Sequence, residues 1–271
     1  MNIIHADAGK LPLADMSVDL VFGSPPYCDA RTYGIGAQRD CREWVAWMLD
    51  VTTEAQRVCR CPVIWVAAGV TRDRNYWPAC EGLMWEWWKR GGDFQLYRPC
   101  FFHRVGIPGS GGKDWFRADT EFVMCFKRPG PLPWSDNTAM GKPPKYKGGG
   151  CASSRIYDGS RRMGGRTADP DIANPGNVIH TNAGGGHTGP AFCLDGNEAP
   201  FPEKLAEWFI RSCCPPGGIV LDPFSGSGTT ASVAIQTGRR FIACDIRESQ
   251  CRLTHTRVKN VTPPLFVGAI A

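Results

Sequence analysis

The sequence predicts an α/β fold: a doubly wound, Rossmann-like sheet that ends in an antiparallel hairpin. Three observations carry this expectation. Short runs rich in β-branched residues alternate with runs whose apolar residues recur at helical spacing. Two of the strands run directly into loops of unusual composition, Ser24-Pro25-Pro26-Tyr27 and Pro223-Phe224-Ser225-Gly226-Ser227-Gly228. Between the halves that carry them, from Pro129 to about Pro175, periodicity disappears.

In chain order, Ile3 to Ala6 and Val18 to Gly23 read as strands, the second ending at Ser24. Glu43 to Arg57 sets Trp44, Trp47, Met48, Val51 and Ala55 on one helical face. Val63 to Ala68 is a buried strand, and Pro78 to Arg90 a Trp-rich helix that Gly91-Gly92 stops. Gln95 to Val105 and Glu121 to Lys127 read as paired strands joined by a long Gly-rich excursion. In the middle stretch Gly, Pro, Ser, Lys and Arg dominate, and Gly148-Gly149-Gly150 and Gly164-Gly165 break any element. So long a stretch without pattern inside a compact domain is functional or disordered. Pro202 then opens a helix, Glu203 to Cys213. Strand Ile219 to Asp222, helix Gly228 to Thr237, strand Arg240 to Asp245 and helix Glu248 to Lys259 complete the series. The chain divides at 1–128, 129–175 and 176–271.

Composition narrows the class. The chain has 271 residues, 42% of them hydrophobic, enough for one sizeable core with an appendage or for two small domains. No run of eighteen apolar residues exists, which argues against a membrane span. The opening Met1-Asn2-Ile3-Ile4-His5 lacks the pattern of a signal peptide. The 13 cysteines are scattered with no C-x-x-C pair. Reduced thiols in a cytoplasmic protein are therefore expected, with no metal site. The net charge of +5 is uneven: seven Lys or Arg (Lys142, Lys145, Lys147, Arg155, Arg161, Arg162, Arg166) face one acid, Asp158. Such a run is either a solvated face or a contact for a polyanion.

The first loop carries a chemical signature. Its two prolines fix their φ angles and lack N–H donors, so the loop is stiff and presents carbonyl acceptors. An amine on an aromatic base is a poor nucleophile because its lone pair is delocalised into the ring. The Ser24 hydroxyl and the Pro25 carbonyl can take its hydrogens, Pro26 keeps the loop rigid, and Tyr27 can stack on the base. The second loop follows a strand ending in Leu221-Asp222 and opens a helix at Gly228-Thr229-Thr230. Gly226 and Gly228 let backbone approach a ligand closely. Asp245, ending the next strand, is placed to accept hydrogen bonds from ribose hydroxyls. Gly226-x-Gly228-x-x-Ala231 also fits the dinucleotide fingerprint. Only some forty residues follow Gly228, however, too few for the rest of a dinucleotide fold unless the chain is permuted.

Together the two loops resemble the amino-methyltransferases of DNA, the type found in restriction–modification systems and phages. The catalytic loop comes first, a basic segment second and the cofactor loop last, which is the order of that family's β group. Asn2-Ile3-Ile4-His5-Ala6-Asp7 and Ala199-Pro200-Phe201-Pro202-Glu203-Lys204-Leu205 are similar to its flanking segments, so the resemblance covers roughly 2–128 and 174–259. It implies a Rossmann-like S-adenosylmethionine methyltransferase sheet, S-adenosylmethionine as cofactor, and methylation of an exocyclic amine. Ser24 leans the target toward N4 of cytosine, with N6 of adenine the alternative. Asp7 would meet the cofactor's adenine amine, Phe224 would line its pocket and Asp245 would take its ribose. Gly226 and Gly228 would approach its methionine part, with Asp222 and Thr229 beside them. Phe201, Pro202 and Lys204 would stand near its methionine end. Double-stranded DNA is the implied partner, with a homodimer an allowed assembly. The basic stretch takes the place of the family's target recognition domain, which makes its Lys and Arg the implied DNA contacts; Lys113, on the separate Gly-rich loop 106–114, is a further candidate contact to phosphate.

Other features point elsewhere and are set aside. Gly106 to Asp114 has the wrong spacing for a phosphate loop, with Asp114 where Ser or Thr must bind magnesium. Pro99-Cys100 would suit a covalent attack that a Ser-Pro-Pro-Tyr loop does not serve. A protein-glutamine methyltransferase would carry Asn at position 24 and its cofactor motif first. A nicotinamide oxidoreductase would need the glycine loop at the start of a nucleotide domain.

Overall fold

The computed structural model describes residues 2–29, 40–60, 62–105, 114, 116–145, 153–163, 170–182 and 200–264. The first half contains β1 (Asn2–His5), β2 (Leu20–Gly23), α1 (Cys41–Val58), β3 (Val63–Ala67) and β4 (Val70–Arg72). There follow β5 (Asn75–Trp77), α2 (Ala79–Lys89), β6 (Gln95–Leu96), β7 (Cys100–Val105) and β8 (Thr120–Lys127). Then come β9 (Ser153–Arg155), β10 (Arg161–Met163), β11 (Val178–Asn182) and α3 (Glu203–Cys213). The chain closes on β12 (Ile219–Asp222), α4 (Thr229–Gln236), β13 (Arg240–Asp245) and α5 (Glu248–Lys259).

Among the described residues one nine-stranded sheet runs β1-β13-β12-β2-β3-β8-β7-β11, with β6 also on β8. The five strands from β1 to β3 are mutually parallel. β8 turns antiparallel to β3, and β7 pairs antiparallel with β8, which is the expected hairpin. β2 and β3 are buried throughout their length, as parallel strands covered on both faces must be. Trp44, Met48, Trp65, Leu83 and Trp87 fill the core under α1 and α2. Phe22, Ile64, Val66, Leu205 and Phe209 fill the core on the opposite face. α1 starts where it does because of a capping box. Asp40 Oδ1 accepts the N–H groups of Arg42 and Glu43 at 2.8 Å, and Glu43 returns a carboxylate to the Asp40 N–H.

The structure departs from the sequence reading in five places. The single strand expected over Gln95 to Val105 is two, because Pro99 has no N–H for the ladder and the chain breaks there. Val18 makes only a lone parallel bridge to Cys59, so β2 starts at Leu20. The stretch read as patternless holds the β9–β10 hairpin, turned by Gly159 at φ +81° with Ser160 N–H on Asp158 Oδ1. β11 extends the sheet beyond the hairpin, parallel to β7. A small β4–β5 hairpin was likewise unforeseen.

Candidate active site

Both unusual loops leave the sheet at one point. β12 and β2 are parallel neighbours, with Leu221 opposite Val21, but their chains depart in opposite directions. β12 returns through α4 to β13, while β2 returns through α1 to β3. A sheet opens a crevice beyond the carboxyl ends of its strands at such a switch. Ser24–Tyr27 form one lip and Pro223–Gly228 the other, with Asp245 and then Asp7 further along the same rim. Gly23 is required at the junction, because a Cβ there would stand 2.5 Å from Asp222 Oδ1.

The first lip is tied down residue by residue. Ser24 Oγ donates to the Val66 carbonyl at 3.0 Å and also lies against the Tyr27 hydroxyl. The Pro26 carbonyl accepts from Trp44 Nε1 at 2.7 Å. The Tyr27 hydroxyl donates to Glu121 Oε2 at 2.6 Å. Burial first, and then the Glu121 charge, push the Tyr27 phenol well above its ordinary value, so it remains a donor. Two residues on, Asp29 sits at φ +43° and is gripped by Arg72, whose Nε lies 2.7 Å from Asp29 Oδ2 and whose Nη2 reaches the Asp29 carbonyl.

The second lip is built from backbone. Gly226 N–H donates to Asp245 Oδ2 at 3.0 Å, so the rim carboxylate also shapes the glycine loop. Arg247 N–H takes Asp245 Oδ1 at 2.9 Å. Burial raises the Asp245 carboxyl against the pull of these donors. Gly228 has φ +81°, and a Cβ on it would come within 2.9 Å of Thr254 Cγ2. Phe224 packs edge-on against Trp47 and Trp65 at 5.8 and 5.7 Å, beside the first lip. Thr229 Oγ1 accepts from Arg257 Nη1 at 3.0 Å, and Arg257 Nη2 lies 2.6 Å from Glu203 Oε1. That buried arginine joins the start of α3 to the glycine loop. Its neighbour Phe201 packs on Phe22 at 5.6 Å, across the sheet from Phe224, while Lys204 and Asp7 are exposed.

Asp222 lies beneath the loop. Its oxygens accept from Phe224 N–H at 3.0 Å and Thr230 Oγ1 at 2.6 Å. Burial nevertheless pushes its carboxyl up to about 7. A carboxyl raised in the folded state above its unfolded value favours folding below the unfolded pKa, and that contribution disappears as pH rises through the folded one. Between pH 4 and pH 8 the wild type should therefore lose thermal stability that Asp222→Asn retains. Melting curves of both proteins across that range check this, and parallel curves would contradict it.

Among the described residues, the basic stretch is tied to the rest of the fold only through its stem. Its stem leaves the sheet at the far end, where Phe126 lies opposite Val63, the first residue of β3. Asp136 N–H bonds the Ser212 carbonyl in the last turn of α3, and Lys142 bridges to Ala173. Lys142 and Lys145 belong to this stem, while Arg155, Arg161 and Arg162 are exposed on the β9–β10 hairpin. Lys113, Lys147 and Arg166 lie outside the described residues. Sequence reading missed Glu121, Arg72 and Arg257. Only Glu121 left a signal: an acid heading the apolar strand Phe122-Val123-Met124-Cys125-Phe126 needs a partner. Among the described residues no group of three or more His, Cys, Asp or Glu could hold a metal ion, and no helix is long and apolar enough to cross a membrane.

Fold and rim together describe an α/β protein with a crevice at its topological switch. The family described as DNA methylase matches residues 18–256, and the chain belongs to that family, as its motifs implied. The type II methyltransferase M.BglII of Bacillus subtilis is 28% identical over 250 residues, 88% of this chain and 62% of that enzyme. The orphan methyltransferase M.BamHII of Bacillus amyloliquefaciens is 48% identical over 62 residues, 23% of each chain. The matched part thus spans less than two thirds of either relative. Among solved structures, the PvuII DNA methyltransferase (cytosine-N4-specific) superposes with a TM-score of 0.71 at 19% identity, over 96% of this chain and 87% of its own. M1.HpyAVI in complex with SAM gives 0.57 at 17% identity, over 95% and 98%. At those identities the likeness is one of fold, and the Rossmann-like sheet expected from the sequence is the fold they share.

Proposed function

We propose that this protein transfers a methyl group from S-adenosylmethionine to an exocyclic amine of a base in double-stranded DNA, N4 of cytosine first and N6 of adenine as the alternative. The observation that carries this reading is the meeting of the two lips. An amine-handling loop and a nucleoside-handling loop face one crevice, locked together where Asp222 fills the space beside Gly23. The choice of cytosine rests on Ser24 alone.

The rim suits the cofactor by its chemistry. Asp245 offers a carboxylate to ribose hydroxyls, Phe224 an apolar ring, and Gly226 and Gly228 a backbone without side chains. Asp7, Phe201, Lys204 and Thr229 complete the set, with Asp222 acting from below. S-adenosylmethionine, when bound, supplies a methyl group on a positively charged sulfur. The residues of the first lip prepare the nucleophile. Ser24 Oγ, its own hydrogen given to Val66, accepts one hydrogen of the amine, and the Pro25 carbonyl accepts the other. The nitrogen lone pair is thereby drawn out of the aromatic ring and aimed across the crevice, while Tyr27 stacks on the base. A target amine inside a duplex cannot be reached in line, so the base is flipped out. Lys113, Lys142, Lys145, Lys147, Arg155, Arg161, Arg162 and Arg166 supply phosphate contacts. The reaction then belongs to the cytoplasm, where chromosome and cofactor meet, and a homodimer is compatible with it.

Incubation with methyl-labelled S-adenosylmethionine and DNA from a methylation-free host tests the reading. Label in N4-methylcytosine after digestion to nucleosides is the expected result, and label in N6-methyladenine would move the target to adenine. Label entering RNA or protein but not DNA would overturn the proposal.

A further inference from the structure

The described structure holds a buried acid that the proposed reaction does not use. Glu121, the second residue of β8, has 9% of its surface exposed, in a strand apolar from Phe122 to Phe126. Burying a carboxylate is costly unless charge and hydrogen bonds compensate, and an apolar residue of similar size usually serves stability as well or better. Here both kinds of compensation point at the first lip. One Glu121 oxygen takes the Tyr27 hydroxyl at 2.6 Å, within the range of a charge-assisted O–H···O⁻ bond. The other lies 3.2 Å from Arg104 Nη1 on β7. Arg104 is itself anchored, since its Nη2 donates to the Ala118 carbonyl at 2.5 Å. The chain of contacts therefore passes from Arg104 on β7 through Glu121 on β8 and over the end of β3 to the loop that follows β2.

We infer that Glu121, held by Arg104, is a positioning residue that fixes the plane of the Tyr27 ring for stacking on the target base. A tyrosine fixed only at its backbone can still swing about two side-chain torsions. Bonded at its hydroxyl as well, the ring is pinned at both ends, and its plane is set before any base arrives. Stacking geometry matters because the amine must line up with the methyl donor, and a misplacement of about 1 Å costs rate on the order of a hundredfold. The Pro26 carbonyl bond to Trp44 fixes the near end of the same residue pair, so Glu121 is the far anchor. This inference rests on the methyl-transfer reading for its catalytic consequence, whereas the anchoring of the ring can be read without turnover.

The test compares wild type with Glu121→Gln, Tyr27→Phe, their double variant and Arg104→Met, all checked by melting temperature. Two quantities are read: kcat for labelled methyl transfer to DNA from a methylation-free host, and the resonance of ¹³Cζ-tyrosine at position 27, assigned by its loss in Tyr27→Phe. Glu121→Gln should lower kcat about tenfold or more, since misplacing an aligned group is costly, while the Kd for S-adenosylmethionine stays unchanged. Tyr27→Phe should do the same, and the double variant should be no worse than the worse single one. The Tyr27 resonance should move in both Glu121→Gln and Arg104→Met. A merely structural Glu121 would give additive losses that follow melting temperature. Wild-type kcat in Glu121→Gln overturns the inference whatever the resonance does. Should the wild type transfer no methyl to DNA, the methyl-transfer reading fails, and the resonance alone decides whether Glu121 anchors the ring.

Discussion

Tyr27→Ala lowers kcat for methyl transfer to DNA by two orders of magnitude or more, while S-adenosylmethionine binds nearly as before. The polar contacts of the Tyr27 hydroxyl are with Glu121, on the side of the sheet away from β13, and with Ser24 of its own loop. Removing the ring deletes the stacking surface and leaves Ser24 and the Pro25 carbonyl to hold an amine whose base is no longer held in line. Loss of alignment of this kind is worth about a hundredfold, and the missing aromatic contact adds about 0.5–1.5 kcal/mol. Kinetically, an interaction made chiefly in the transition state lowers kcat and kcat/KM together. Steady-state assays paired with calorimetry check both halves. A variant with normal kcat and weakened cofactor binding would contradict the assignment of the first lip.

Asp245→Ala does the reverse. The carboxylate is buried and holds both Gly226 N–H and Arg247 N–H, so its removal takes away a ribose acceptor and slackens the loop that approaches the ligand. A hydrogen bond to a charged group is worth about 1.5–3 kcal/mol, which corresponds to a Kd for S-adenosylmethionine weaker by about tenfold to a hundredfold. At saturating cofactor much of kcat should return. Asp245→Asn, which keeps the shape and loses the charge, should fall between. Calorimetric titration of the three proteins decides, and equal affinities would remove Asp245 from the site.

The two lips were legible because each is local. Ser24 to Tyr27 and Asp222 to Thr230 are short runs in which composition alone dictates backbone: prolines that stiffen, glycines that take positive φ or permit close approach. The strands feeding them were legible because β2, β3, β12 and β13 are continuous apolar runs. What escaped depends on distance in the chain. Glu121 gains its meaning from Tyr27, Arg257 from Glu203 and Thr229, and Arg72 from Asp29, pairings that the sheet order creates and no local pattern encodes. β11 escaped because Val178-Ile179-His180-Thr181-Asn182 is a half-exposed edge with only Ile179 fully buried. The basic stretch shows the opposite fault. Its charge was plain in the sequence, but its stem leaves from the far end of β8, which only the antiparallel pairing with β3 reveals.

The central claim is that the two lips are one site that methylates DNA amines. Its most direct test is to express the protein in a host without DNA methylation and sequence the chromosome for modified bases, with Tyr27→Ala as the control. The expected result is N4-methylcytosine at one fixed sequence motif, absent in the variant. Unmodified DNA from cells holding folded protein that binds S-adenosylmethionine would contradict it.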